Sequence, residues 1–333
     1  MSADPQPLVV TLGETMVSFI ARERGPMVES SEFLRTIAGS EANMAVGIAR
    51  LGGRAAYIGR VGADGLGTTV SRRLRAEGVD VSHLRIDETA TTGTMVRELR
   101  DLGPAEVVYW RAGSAGSRLS AADVEAAGEL IDGAAWLHVT GITPALSPEA
   151  AGAVDAAVER AQAAGVTISI DLNVRRHLWS EAQARAALAP LVTRCDVVLG
   201  GVEELAVVAG LARTLEAGTA VDPVAAADAV RTMGPATVVV KLGADGALER
   251  RVGISTSVPA LPVEHVIDPV GAGDAFTAGY VSSVLEGAPA TRALTVANAC
   301  GAAAVSVIGD IPGMPTRAEL ELLLARGNLD TLR

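Results

Sequence analysis

A three-layer α/β/α domain with a small β-sheet appendage is the fold that this chain of 333 residues predicts. Short β-branched apolar runs alternate with alanine-rich amphipathic stretches along most of its length. Such runs read as strands buried on both faces, and helix-length connections between them imply a mainly parallel sheet. Two stretches break the alternation: each holds strand-like runs without a helix between them.

The strand runs are Leu8–Leu12, Ala55–Val61, Trp136–Thr140, Val166–Asp171, Val197–Leu199 and Thr237–Lys241. Helical patterns cover Glu41–Leu51, Thr69–Glu77, Ser120–Leu130, Pro148–Ala164, Ser180–Leu191, Pro223–Met233, Ala272–Glu286, Pro289–Val307 and Thr316–Arg326. Ser147-Pro148 and Asp222-Pro223 each set a capping side chain before a proline in the first turn. The exceptions are Glu14–Ile37, with runs Thr15–Ala21 and Glu32–Ile37, and Thr91–Arg111, with runs Thr94–Leu99 and Glu106–Arg111. The Gly-Pro pair in Asp101-Leu102-Gly103-Pro104 marks a turn between the latter two. Antiparallel hairpins inserted there would form a separate small sheet; two long irregular loops are the other reading. The division predicted is 1–13, 38–90 and 112–333 for the large domain, and 14–37 and 91–111 for a β lid.

Composition narrows the function. Hydrophobic residues make up 49% and charged residues 20%, which fits a globular protein rather than a disordered or fibrous one. With 28 basic and 39 acidic residues the net charge is −11, so a nucleic-acid partner, which needs a basic face, is not expected. Lys241 is the only lysine; the other basic residues are arginine. Cys195 and Cys300 lie in Ala- and Val-rich surroundings and read as buried thiols in a reducing compartment. The N-terminal stretch has no signal-type run and no segment reaches membrane-span length, so a cytoplasmic protein without a membrane partner is expected.

Four segments could carry chemistry. In Asp268-Pro269-Val270-Gly271-Ala272-Gly273-Asp274, the glycines let backbone amides converge on an anion where a helix begins. Asp274 in the first turn could accept a proton from a hydroxyl nucleophile, while the amides of Gly271, Ala272 and Gly273 stabilise developing charge. A plain glycine turn followed by a helix-end acid is the structural alternative. The frame recurs without glycines at Asp222–Asp228, which reads as an ordinary helix start. Gly39-Ser40-Glu41-Ala42-Asn43 puts a flexible turn before a helix, with Asn43 able to both donate to and accept from a polyol or simply to sit satisfied in the core. Gly59–Gly67 has neither the dinucleotide nor the P-loop spacing. Lys241 ends a strand before Gly243 and Gly246, at the sheet edge where open α/β folds bind ligands. With four histidines and no His/Cys spacing of the zinc type, a structural zinc site is not expected.

Gly39–Gly52 followed by Gly59–Gly67 resembles the N-terminal signature of the ribokinase-like (PfkB) carbohydrate kinases, and Asp268–Phe276 resembles their C-terminal signature. The resemblance runs from Val9 to about Ile311. It implies a ribokinase-like domain with a β lid over the sugar, ATP-dependent phosphorylation of a sugar hydroxyl, and Mg²⁺. Within the family the likeness is greatest to kinases of 2-keto-3-deoxygluconate, through Leu12-Gly13-Glu14, Tyr109–Ser117, Gly141–Ser147 and Asp171–Arg175. It places Gly39, Asn43, Tyr109, Arg111, Arg175 and Asp274 at a sugar acid, where two arginines could clamp a carboxylate. A net charge of −11 makes a locally positive pocket more necessary for an anionic substrate.

The same resemblance puts Lys241, Gly243, Gly246, Gly273 and Asn298 at the nucleotide, with Glu204 acting indirectly on the metal. Where the family has Asn-x-x-Glu, this chain reads Gly201-Val202-Glu203-Glu204; where close relatives have a Tyr facing the substrate, it has Met95. Small-molecule partners, a sugar acid and ATP, are expected, along with a homo-oligomer through the lid or large domain. A neutral-sugar kinase and a catalytically silent regulator are the rival readings. A dehydrogenase lacks its fingerprint after the first strand.

Overall fold

The computed structural model describes residues 6–100, 106–211 and 221–330. Its strands, in chain order, are β1 (Leu8–Gly13), β2 (Met16–Arg24), β3 (Phe33–Ala38), β4 (Arg54–Gly62), β5 (Leu84–Asp87), β6 (Thr94–Leu99), β7 (Val107–Trp110), β8 (Trp136–Thr140), β9 (Thr167–Asp171), β10 (Val197–Gly201), β11 (Thr237–Lys241), β12 (Ala247–Arg251) and β13 (Ile254–Val258). Nine form one sheet in the order β13-β12-β11-β10-β9-β8-β1-β4-β5, and four form another in the order β3-β2-β6-β7. From β5 through to β11 every pairing in the large sheet is parallel.

Alternate residues of the central strands feed two cores. Val9 and Val239 pack in one; Val10, Leu12, Val238 and Val240 pack in the other. The first core is covered by the helices Ser40–Arg50, Ala272–Leu285 and Ala290–Ala304, and the second by Pro148–Ala164, Glu181–Val192 and Pro223–Arg231. That is the three-layer arrangement expected of strands buried on both faces. Ser40–Arg50 lies close on Ala272–Leu285: a Cβ on Gly47 would stand 2.5 Å from the Ala278 methyl. This close approach sets Ser40 and Asn43 beside the start of the second helix.

The structure departs from the sequence expectation in several places. Ser120–Leu130 is broken into Ala121–Ala126 and Gly128–Asp132 at Ala127, whose backbone (φ −96°, ψ 12°) leaves the helical region. A helix at Val202–Ala209, the edge strand β5 and the antiparallel edge hairpin β12–β13 were not expected. Each is short, and β5 and β13 are half exposed, so neither gives an apolar run. In the small sheet, β2–β3 and β6–β7 are the antiparallel hairpins anticipated, but β2 and β6 join them by a parallel pairing. The turn at Asp101–Pro104 lies outside the described residues. Cys195 and Cys300 are both free and buried, and burial pushes each thiol up to about 12. Among the described residues no helix is long and apolar enough to cross a membrane.

Candidate active site

The carboxyl ends of β1, β9, β10 and β11 open beneath the small sheet, the position at which open parallel sheets bind ligands. A cavity of about 550 Å³ there is lined by Gly39, Asn43, Tyr109, Arg111, Arg175 and Asp274, together with Glu14, Asp171, Asn173, Lys241 and Asp310. Every sugar-side residue singled out from sequence thus reaches one cavity.

Asp274 occupies the first turn of Ala272–Leu285 and is 9% exposed. Its Oδ1 accepts the Ser40 hydroxyl at 2.6 Å and its Oδ2 accepts the Asn43 amide at 2.8 Å. Burial raises its pKa from the ordinary carboxyl value, and the two hydrogen bonds oppose that shift. The chain enters this helix through Gly271 at φ +83°, where a Cβ would sit 2.8 Å from the Asp310 carbonyl oxygen. The position therefore demands glycine on both conformational and steric grounds. Gly39 is required for space alone, since a Cβ there would lie 2.5 Å from the Glu14 carbonyl oxygen.

The arginines do not form a symmetrical pair. Arg111 is bound to Glu14 through Nε at 2.8 Å and a terminal nitrogen at 2.6 Å, and Ser114 donates to the other Glu14 oxygen. Arg175 is exposed, and among the described residues its guanidinium has no hydrogen bond or ion pair. Tyr109 stacks on His177 with ring centres 5.0 Å apart. Nor is the cavity simply positive: Glu14, Glu41, Asp171, Glu204, Asp274 and Asp310 outnumber Arg111, Arg175 and Lys241. Glu14 and Asp171 are paired with Arg111 and Lys241. Burial raises the pKa of Glu41, Glu204, Asp274 and Asp310, the last to about 6. Of the three cations, Arg175 alone has no carboxylate in ion-pair contact among the described residues; its charge opposes the rise at Glu204 from a distance.

A second cavity of about 580 Å³ adjoins the first and is mainly apolar, lined by Leu261, Val263, Val266, Phe276, Asn298 and the Gly243–Gly246 turn among others. Lys241, Pro269 and Gly273 border both cavities. Lys241 donates to Asp171 and to the Gly273 carbonyl, the latter at 3.0 Å. Asn298 lines the second cavity but spends its amide on the carbonyls of Val258 and Pro259, at 3.3 and 3.0 Å. Gly243 and Gly246 have φ of +59° and +102°. Glu204 uses both oxygens on backbone amides, of Gly201 at 2.8 Å and Val174 at 2.9 Å, so it caps its own helix and anchors the loop after β9. Among the described residues no three His, Cys, Asp or Glu side chains converge to hold a metal.

The sequence reading did not assign Glu14, Ser40, Asp171, Asn173 or Asp310 to the site, nor Arg97. Arg97 on β6 makes a buried two-pronged pair with Asp268, which also accepts the Gly309 amide at 2.8 Å and the Val270 amide at 3.2 Å. The small sheet is thereby tied to the start of the glycine turn. An acid after the buried run of β1 was a visible signal for Glu14, and Asp171 and Asn173 stood in a segment already picked out. Asp310 and Arg97 had no local signal, because their partners lie far along the chain.

Residues 6–317 match the model of the pfkB family carbohydrate kinases. The 2-dehydro-3-deoxygluconokinase of Bacillus subtilis (strain 168) is 36% identical over 318 residues, 95% of each chain. Fructokinase-1 of Zea mays is 31% identical over 331 residues, 96% of this chain and 98% of the other. A solved chain of E. coli with the provisional name Ribokinase II, in complex with ATP and Mg²⁺, superposes with a TM-score of 0.86 at 28% identity, covering 96% of this chain and 99% of that one. The chain therefore belongs to the pfkB family of carbohydrate kinases and is an ATP-dependent sugar kinase.

Proposed function

We propose that this kinase phosphorylates the terminal hydroxyl of a sugar acid, 2-keto-3-deoxygluconate or a close hexonate, giving the 6-phosphate. The observation that carries the reading is the junction of the two cavities. Asp274 lies on the polar side of that junction, the Gly271–Gly273 turn forms it, and Lys241 borders both spaces. The sugar acid takes the polar cavity under the small sheet, and the nucleotide base takes the apolar one.

Asp274, held by Ser40 and Asn43, orients the hydroxyl and accepts its proton as the hydroxyl oxygen attacks the γ-phosphorus in line. The bond from that phosphorus to the β–γ bridging oxygen breaks, and ADP leaves with the electron pair. The amides of Gly271, Ala272 and Gly273 meet the charge that develops on the transferring group. Lys241 adds a point charge fixed by Asp171 and the Gly273 carbonyl. Tyr109 walls the sugar side and Arg175 pairs with the carboxylate, while Arg111 acts from its position on Glu14. Gly243, Gly246 and Asn298 shape the base pocket, Asn298 by holding the strand end in place. With no three-ligand cluster among the described residues and with Glu204 engaged by amides, the donor set fits a cation held mainly by phosphate oxygens and water. Glu204 and Asp171 are the carboxylates on that side. Mg²⁺, when bound, neutralises phosphate charge.

The rival within the family is a neutral-sugar kinase, since fructokinases match at only slightly lower identity. Arg175 favours the acid: a neutral sugar has nothing to pair with a guanidinium that, among the described residues, has no carboxylate in ion-pair contact at the cavity wall. Asp274→Asn tests the mechanism. The variant is expected to fold and bind ATP but to lose at least about 10²-fold in turnover, as when a general base is removed. Turnover near that of the parent would take Asp274 out of the mechanism.

A further inference from the structure

Asn173 is the one non-glycine residue among those described with a left-handed backbone, at φ +40°. It follows β9 by two positions, in a loop pinned by the Val174 amide on Glu204. Its side chain lines the polar cavity and is 7% exposed. A residue held in this region costs conformational energy and marks a place where the side chain is wanted. Asn tolerates it better than most residues, but glycine would occupy it without strain.

The amide of Asn173 donates to Ser40 Oγ at 2.9 Å, and Ser40 donates to Asp274 Oδ1 at 2.6 Å. A serine hydroxyl carries one hydrogen and can rotate it among acceptors. With one lone pair taken by Asn173, the Ser40 hydrogen is directed at Asp274. We infer that Asn173 is a positioning residue for the general base, acting through Ser40 to hold the Asp274 carboxylate aligned and ionised. The inference rests on the reading of Asp274 as the base. Other groups facing Asp274 are Glu41 from the helix Ser40–Arg50, Asp171 from β9, Lys241 from β11 and Asp310 from the loop after Ala290–Ala304. None of them is altered by a change at position 173.

The Ser40 hydrogen bond opposes the rise that burial imposes on the Asp274 carboxyl. Loosening Ser40 therefore moves the acid limb of the kcat profile to higher pH. Asn173→Gly is the discriminating variant, since it relieves the backbone and deletes only the side chain. It is expected to unfold no earlier than the parent, yet to lose roughly three- to tenfold in kcat, with the KM for the sugar acid little changed. Asn173→Asp tolerates the same backbone but cannot donate to Ser40, and should fare no better than the glycine variant. If the route runs through Ser40, Ser40→Ala and Asn173→Gly are non-additive, the double variant being no slower than Ser40→Ala alone. A glycine variant with the parent's kcat and acid limb would reduce Asn173 to a turn residue and overturn the inference. So would full additivity with Ser40→Ala. Asp274→Asn, run alongside, separates the two failures: its full activity would remove the base itself, whereas its inactivity with a normal Asn173→Gly would sink only the relay.

Discussion

Replacing Arg175 by alanine should separate acid from neutral substrates, whereas replacing Arg111 should not. Among the described residues Arg175 makes no side-chain hydrogen bond or ion pair, and its charge acts on Glu204 only at a distance, so Arg175→Ala removes a cation from the cavity wall and should leave the fold intact. A hydrogen bond to a charged group contributes roughly 1.5–3 kcal/mol. The exposure of Arg175 places it at the lower end through solvent screening. At 1.36 kcal/mol per decade, kcat/KM for 2-keto-3-deoxygluconate should fall about tenfold, and residual turnover of fructose should hardly change. Arg111→Ala is a different perturbation, because Glu14 is 1% exposed at its side chain and would be left buried without its cation. Breaking a buried pair in that way costs about 3–5 kcal/mol, so both stability and turnover of both kinds of substrate should fall. The assay is kcat/KM by coupled ADP release on acid and neutral sugars, with thermal unfolding of each variant. Equal losses on both substrates for Arg175→Ala would refute the assignment of the carboxylate to Arg175.

Three further outcomes are expected. A Cβ on Gly201 has its nearest neighbour at 3.7 Å and the backbone there is extended, so Gly201→Asn should fold normally and lower the KM for Mg·ATP; an unchanged KM would mean the missing amide has no role. Glu204→Gln should raise the Mg²⁺ requirement and also cost stability, since an amide nitrogen would face a backbone donor; unaltered Mg²⁺ dependence would leave Glu204 as scaffold only. Burial raises the Asp310 carboxyl to about 6, so the native state keeps a proton that the unfolded chain has released, and stability falls as pH rises from about 4 to 6. Asp310→Asn should therefore be relatively more stable than the parent above pH 6, by on the order of 2–3 kcal/mol, and the gain should vanish near pH 4; a gain independent of pH would contradict this.

The alternation of β-branched runs with alanine-rich stretches made the parallel core readable, because each period is local and each strand is buried on both faces. The glycine turn at Gly271–Gly273 and the helix start at Gly39–Asn43 were readable for the same reason: backbone demands are written in adjacent residues. What the sequence did not disclose was pairing at long range. Arg111 was read as free to meet a substrate, but its partner Glu14 lies on the far side of the small-sheet insertions. Asn298 lines the apolar cavity, as a nucleotide-side residue should, but nothing in its neighbouring sequence shows that its amide is spent on the carbonyls of Val258 and Pro259. The sign of the cavity was misjudged because net charge says nothing about which acids are buried. Short polar edge strands such as β13 escaped because an edge does not need an apolar run.

The most direct test of the sugar-acid reading is kcat/KM of the unaltered enzyme, by ADP release, on 2-keto-3-deoxygluconate and on fructose side by side. One charged contact unavailable to fructose predicts a preference of at least about tenfold for the acid, with the phosphate on its terminal hydroxyl. Equal efficiency on the two, or a preference for fructose, would contradict it.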